Sequence, residues 1–435
     1  MEFIKKAENT AEQNSEKSRE IVKQVLADIE ARGEDAVREL AKKFDGWEGD
    51  FILSDEKLKR ITSTLTQREK DDIKFAYDQV YSFAVAQRNS LQDFEVESLP
   101  GVRLGQKIKP MEVAGCYIPG GRYAHICSAV MSVATAKAAG VPFVIACSPP
   151  RGESIDPAVA YALELSGADA ILEMGGIQAI ATMAYGLFTG KPANLLCGPG
   201  NSFVAEAKAM LASSGLCGID IFAGPTETAI IADKDADPAT IAIDLVSQAE
   251  HGLDSPAWLF TDSREVAEKV NELMPIIINQ HPTPDVPGTS WRDYGEIILC
   301  DSKEELCKVS DDYAPEHLQV IASDLEWWLE NLQCYGSLFM GEGSTVSHGD
   351  KCSGTNHILP TKKAAKYSGG LNVHKFLKIT TYQELDEEAS KSVGAVASRL
   401  CRMEGMEGHA RSCDWRLEKY FPNEKWDFTV YKHKL

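Results

Sequence analysis

Residues 113–150 read VAGCYIPGGRYAHICSAVMSVATAKAAGVPFVIACSPP. Two short apolar runs, each ended by Gly or Pro, enclose an Ala-rich segment, which makes one strand–helix–strand unit. Neither run alternates polar with apolar residues, as expected of a strand covered on both faces. The same texture continues through ADAILEMGG (168–176), QAIATMAYGL (178–187), ANLLCGPG (193–200) and NSFVAEAKAMLASS (201–214). A second set begins after IDIFAGPTETAIIAD (219–233), with a helix through IAIDLVSQAEH, a strand at PAWLFT, a helix at EVAEKVNELMPIII and a strand at GEIILC. This alternation predicts an α/β fold with parallel sheets covered by helices. Residues 15–90 read as helices, and the chain from Leu371 onward reads as mostly helical and polar.

At 435 residues, with 44% hydrophobic and 25% charged residues, the chain is long enough for two or more domains and a large core. Its formal net charge of −20 argues against nucleic acid or an anionic membrane as partner. Eleven cysteines are scattered without a CxxC pair. With a charged N-terminus and no apolar run near the ~20 residues that span a bilayer, the expectation is a cytoplasmic protein with free thiols.

Four glycine-punctuated turns follow apolar runs: YIPGG (117–121), GGIQ (175–178), CGPGN (197–201) and AGPTE (223–227). Strand-end turns of this kind either bind ligands or simply reverse the chain. GPGN before a helix presents backbone N–H groups suited to a pyrophosphate. No GxGxxG fingerprint is present, which rules out an ordinary dinucleotide motif. Gln248 and His251 lie three residues apart near a helix C-terminus, with Gly252 as the stop. The pair suits two ligands of one ion and equally a solvated helix face. Gly336–Thr361, GSLFMGEGSTVSHGDKCSGTNHILPT, reads as a polar glycine-rich loop carrying His348, Asp350 and His357. APEHL (314–318) places Pro315 at the expected first position of a helix, with Glu316 and His317 in its first turn. Glu404 and His409 face one point only if a helix ends between them, which Gly405 and Gly408 permit.

Together, GPGNSFVAEAKAML, FAGPTETAIIAD, LVSQAEHG, YAPEHL, GDKCSGTNHILPT and EGMEGHA resemble the histidinol dehydrogenase family, in that family's order and over nearly the whole chain. The resemblance implies two incomplete Rossmann-like domains, residues 1–114 with 226–370 and residues 115–225, the latter on the NAD side. It also implies a helical segment, 371–435, exchanged across a homodimer. It implies two successive NAD-dependent oxidations, alcohol to aldehyde to carboxylate, at a zinc site. On matching positions Gln248, His251, Asp350 and His409 become the zinc ligands, with His409 supplied by the second subunit. His317 becomes the general base and Glu316 the activator of the second-step water. Tyr117, Gln178 and Asn201 contact NAD, and Thr226 (usually Ser in the family) and Glu404 contact substrate.

The chain departs from the family's usual pattern at Thr345–Val346, at Lys351 beside Asp350, and at Arg122–Tyr123–Ala124–His125. Arg122, His125, His348 and Lys351 add cations near the implied site, which favours an anionic substrate over a cationic amino alcohol. GCYIPGGRY with STVSHGDK is more similar to the family's sulfopropanediol dehydrogenase branch, whose substrate is 2,3-dihydroxypropane-1-sulfonate and whose product is sulfolactate. Histidinol oxidation is the alternative substrate reading, and a zinc hydrolase is the alternative of another class.

Overall fold

The computed structural model describes residues 1–9, 15–120, 123–220 and 224–428. The chain divides into two units: Met1–Arg88 with Pro110–Phe376, and Asn89–Lys109 with the segment from Leu377 onward.

The larger unit is built on two sheets. One is five-stranded and wholly parallel, in the order Ala170–Glu173, Phe143–Ser148, Val113–Tyr117, Leu195–Cys197, Gly218–Ile219. The other is six-stranded. Its edge strand Glu2–Lys5 runs antiparallel to Glu296–Leu299, and Ala257–Thr261, Thr228–Ala232, His317–Ile321 and Ser337–Met340 continue it in parallel. The unalternating apolar runs have a direct cause here. Ile230, Leu259 and Ile297 pack into one cluster and Ala229, Ile231, Phe260, Ile298, Leu318 and Val320 into another. Odd and even positions of each strand are thus buried alike, and every residue of Val113–Tyr117, Thr228–Ala232 and His317–Ile321 is buried.

Helix starts follow local chemistry. Asp156, Asn201 and Asp237 each accept two backbone N–H bonds at their N-caps, and Pro157 and Pro238 open their helices. The N-terminal helices Ser15–Arg32 and Glu34–Phe44 send Val22, Leu26, Ile29 and Val37 into one cluster with Ile145, Leu172 and Ile180 of the five-stranded sheet and its helices. Among the described residues, no helix is long and apolar enough to cross a membrane.

The smaller unit has a three-stranded sheet, ordered Leu377–Leu385, Val102–Pro110, Phe94–Leu99, and two helices, Glu387–Met403 and Glu407–Tyr420. The helices end and restart around Gly405, whose φ of +82° is the left-handed conformation that glycine adopts without strain. The helix break expected between Glu404 and His409 is therefore present. The unit buries Ala389, Ala410 and Leu417 but leaves Val396, Leu400, Met403 and Trp415 exposed.

Three local expectations fail. Glu316 and His317 are not in a helical turn: Ala314 closes the preceding helix in a left-handed conformation, φ +48°, and His317 starts a strand. Pairing of HLQVI between the buried strand Thr228–Ala232 and the edge strand Ser337–Met340 overrides the helix-start signal of APEH. Asp350 lies on a short helix, Val346–Lys351, rather than in an irregular loop. Finally, the segment after Leu371 contributes the strand Leu377–Leu385, whose mostly exposed residues gave no apolar period to read.

Candidate active site

Two peptide units and two side chains define the centre of the site. Thr226 and Glu227 form the end of the turn that enters Thr228–Ala232, and Glu316 and His317 stand on the neighbouring strand's entry. Thr226 Oγ1 donates to Glu316 Oε2 at 2.7 Å, and the Glu227 N–H donates to the same oxygen at 3.0 Å. The imidazole Nδ1 of His317 lies 3.0 Å from the Glu227 carbonyl oxygen. A carbonyl only accepts, so Nδ1 carries a proton and Nε2 faces the cavity. Nε2 stands 3.3 Å from Asp350 Oδ1, close enough for an ion pair but without hydrogen-bond geometry, so both atoms are buried and unpartnered.

The charges follow from this packing. Burial alone draws the His317 imidazole down, but the Glu316 and Asp350 carboxylates outweigh it and raise it to about 9. Asp350 is held at about 2: burial pushes it up, and the adjacent His317 charge overcomes that push. Burial raises the Glu316 carboxyl, against the opposing pull of His317 and of the bond from Thr226.

These groups line one cavity of about 560 Å³. Gln248 and His251 reach it from the end of the helix Pro238–Ala249, which stops one residue before Glu250, so His251 lies just past the helix. Gln248 is 3% exposed and its Oε1 has no partner. His251 is exposed. Asp350 and Lys351 enter from the short helix Val346–Lys351. His125–Ser128 and Pro199–Gly200 line the cavity as well.

Among the described residues, no three His, Cys, Asp or Glu side chains are grouped to hold a metal. The donor set of this chain is instead one amide, one imidazole and one carboxylate. The buried, unpartnered Gln248 Oε1 and Asp350 Oδ1 fit a divalent ion, because a cation would satisfy two acceptors that are otherwise costly to leave unmade.

A family model described as histidinol dehydrogenase matches residues 8–417. The chain belongs to the histidinol dehydrogenase family. It is 52% identical over 433 residues, 99% of each chain, to a sulfopropanediol 3-dehydrogenase of Ruegeria pomeroyi. It is 54% identical over 424 residues, 96% of this chain and 98% of the other, to a histidinol dehydrogenase homolog of Pelagibacter ubique. The crystal structure of histidinol dehydrogenase from Elizabethkingia anophelis superimposes with a TM-score of 0.89 at 30% identity, covering 94% of each chain.

In this histidinol dehydrogenase family member the structure brings Thr226, Gln248, His251, Glu316, His317, Asp350, His125 and Lys351 to one cavity. Tyr117, Gln178 and Asn201 do not line it but stand at the carboxyl ends of the five-stranded sheet. The Tyr117 hydroxyl accepts from the Gly176 N–H at 3.2 Å, Gln178 Nε2 donates to Asp45 Oδ2 at 3.0 Å, and Asn201 caps the helix Ser202–Ser213. Glu404 and His409 are exposed residues of the smaller unit. Of the four added cations, Arg122 lies outside the described residues, and His348 is exposed and does not line the cavity. His125 lines it, but burial, with the charge of Lys351 among lesser contributions, lowers the ring to about 4, so it offers a neutral hydrogen bond. Lys351 is the cation that remains in the described lining.

Two participants went without a role in the sequence reading. His357 bridges Asp350 and the helix Ile126–Ala138: its Nδ1 donates to the Asp350 carbonyl at 2.8 Å, and its Nε2 accepts from Ser128 Oγ at 2.8 Å. Its place in the same glycine-rich stretch was the only signal. Glu227 is buried beside Glu316, and its position directly after Thr226 was the corresponding clue.

Proposed function

We propose that this chain is a zinc- and NAD-dependent dehydrogenase of an anionic primary alcohol, 2,3-dihydroxypropane-1-sulfonate, which it oxidises through the aldehyde to sulfolactate with two NAD. The reading rests above all on the convergence of a buried acid–imidazole pair with two buried, unpartnered oxygen acceptors in one cavity. Gln248, His251 and Asp350 would hold the metal, with a fourth ligand, His409, from a second subunit. When bound, zinc supplies Lewis-acid polarisation of the substrate hydroxyl and NAD accepts the hydride.

The remaining work falls to this chain's own side chains. With Asp350 engaged by the metal, His317 would lose a carboxylate that keeps it charged and could take the hydroxyl proton on Nε2, while its Nδ1–H stays fixed on the Glu227 carbonyl. Glu316, held by Thr226 and the Glu227 N–H, serves as base for the water that adds to the aldehyde. The hydrate then loses its second hydride, giving carboxylate and one NADH per oxidation. Tyr117, Gln178 and Asn201 would contact NAD, a reading supported by their position at the carboxyl ends of parallel strands.

The sulfonated substrate is favoured by the Ruegeria relative and by Lys351 in the lining, whose ammonium attracts a sulfonate and disfavours a cationic amino alcohol. Exchange of the C-terminal segment in a homodimer accounts for the exposed Val396, Leu400, Met403 and Trp415 on a unit with little core of its own. The test is direct. Zinc-loaded protein with excess NAD should form two NADH per dihydroxypropanesulfonate and prefer it to histidinol in kcat/KM. No NADH from any small alcohol, sulfonated or not, removes the reading, and one NADH per substrate removes the second step.

A further inference from the structure

Glu227 holds a position that its neighbours' roles do not explain. Its N–H points to Glu316 Oε2 at 3.0 Å. Its carbonyl accepts twice from His317, from the backbone N–H at 3.2 Å and from Nδ1 at 3.0 Å. Two adjacent peptide groups of one residue thus orient both members of the acid–imidazole pair. Strand pairing of the next residue, Thr228, with Ala257 and His317 holds that main chain on one side, and the side chain adds a second hold: the Lys362 N–H donates to Glu227 Oε1 at 2.8 Å.

The far side of this clamp is strained. Lys362 and Lys363 both occupy the left-handed region, at φ +53° and +63°, although both carry a Cβ. Such backbone persists only where its surroundings hold it. Here the grip is double, because the Gly224 N–H also donates to Thr361 Oγ1. The gripped segment continues backward into Ile358 and Leu359, which line the cavity. The wall of the cavity and the reacting pair are therefore tied together at Glu227. The other oxygen of Glu227 is buried without a partner, and burial pushes the carboxyl up to about 7. A neutral side chain of the same shape can thus make the same bond.

We infer that Glu227 is a positioning residue for Glu316 and His317, its carboxyl group clamping the Gly224–Glu227 turn to the strained Lys362 backbone. The inference rests on the reading of Glu316 and His317 given above. In the zinc-loaded enzyme Glu227→Ala should lower kcat by about 10- to 100-fold through misplacement of the pair. KM for NAD and zinc content should stay within about twofold of wild type, below the cost of one lost hydrogen bond. Aldehyde should escape during turnover, because Glu316 loses its orientation along with His317. Glu227→Gln keeps a carbonyl oxygen for the Lys362 N–H and should return to within about threefold of wild type. Glu227→Asp keeps the carboxyl group but falls one methylene short, so it should behave like Ala, and it decides the matter if Ala fails to fold.

A second readout needs no turnover. In metal-free protein the His317 Nδ1–H nitrogen resonance should be sharp and slow to exchange in wild type and Gln, but broadened in Asp and Ala. Wild-type kcat and an unchanged resonance in Asp or Ala overturn the inference, as does an equal loss in Gln and Ala. Should wild type oxidise no alcohol at all, the functional reading falls while the imidazole resonance still decides the clamp.

Discussion

In the five-stranded sheet, the helices Gly176–Tyr185 and Ser202–Ser213 begin just beyond the carboxyl ends of the strands Ala170–Glu173 and Leu195–Cys197. In the six-stranded sheet, Thr226, Glu227, Glu316 and His317 sit at the amino ends, and the approaching helix Pro238–Ala249 delivers Gln248 and His251 from its C-terminus. Pro199 and Gly200 from the first set and Thr226, Glu316 and His317 from the second line the same cavity. The difference is electrostatic as well as topological. Helix N-termini favour anions such as a pyrophosphate, whereas helix C-termini carry partial negative charge and favour cations. On the proposed function, the first sheet's end would meet the nucleotide and the second sheet's end the metal ion. The rule that open α/β sheets bind at their carboxyl ends covers only half of this cavity.

The division of labour can be broken by a crossed result. The largest effect is expected at the amino ends: His317→Asn should lower kcat by about 10²- to 10⁴-fold and leave KM for NAD unchanged, as read by steady-state NADH formation. At the carboxyl ends, Gln178→Ala should raise KM for NAD by about 2- to 10-fold with zinc content intact. If Gln178→Ala instead strips the metal, the two ends are not separate in function. Lys351→Ala should reduce kcat/KM for the sulfonated alcohol by only about 2- to 5-fold, since this ammonium is exposed and screened. It should not impair turnover of an uncharged alcohol.

The smallest effect concerns metal-free protein and its pH response. The folded His317 imidazole sits at about 9, above the usual value near 6.5. Its contribution to stability is therefore fully present below about pH 6.5 and is lost as the pH rises through 9. Thermal melts of wild type and His317→Asn should converge by about 1–3 °C over that window, corresponding to roughly 1 kcal/mol. Divergence on raising the pH would contradict the charged His317–Asp350 pairing.

Much of the architecture was legible because its signals are local. The strand Val113–Tyr117 and the helix at Asn201 needed only apolar runs, a capping side chain and glycine punctuation. The helix carrying Gln248 was legible too, but it stops at Ala249, before the His251 end that Gly252 suggested. APEHL misled because proline and acid resemble a helix start, while the strand at His317 is imposed by neighbours 89 and 20 residues away, at Thr228 and Ser337. His125 misled in another way: residue type announces a cation, but burial decides whether the ring is charged.

By itself the sequence determined the alternation of elements, the order of the motifs and the set of residue types able to bind a metal, move a proton or cap a helix. Those follow from propensity and periodicity, which act over a few residues. Only the tertiary structure decided that a turn near residue 226, a strand start near 316, a helix end near 248 and a short helix near 350 share one cavity. It also left Gln248 Oε1 and Asp350 Oδ1 without partners and set the charge of His317. Such outcomes depend on burial and on distances between remote segments, which no stretch of sequence encodes alone.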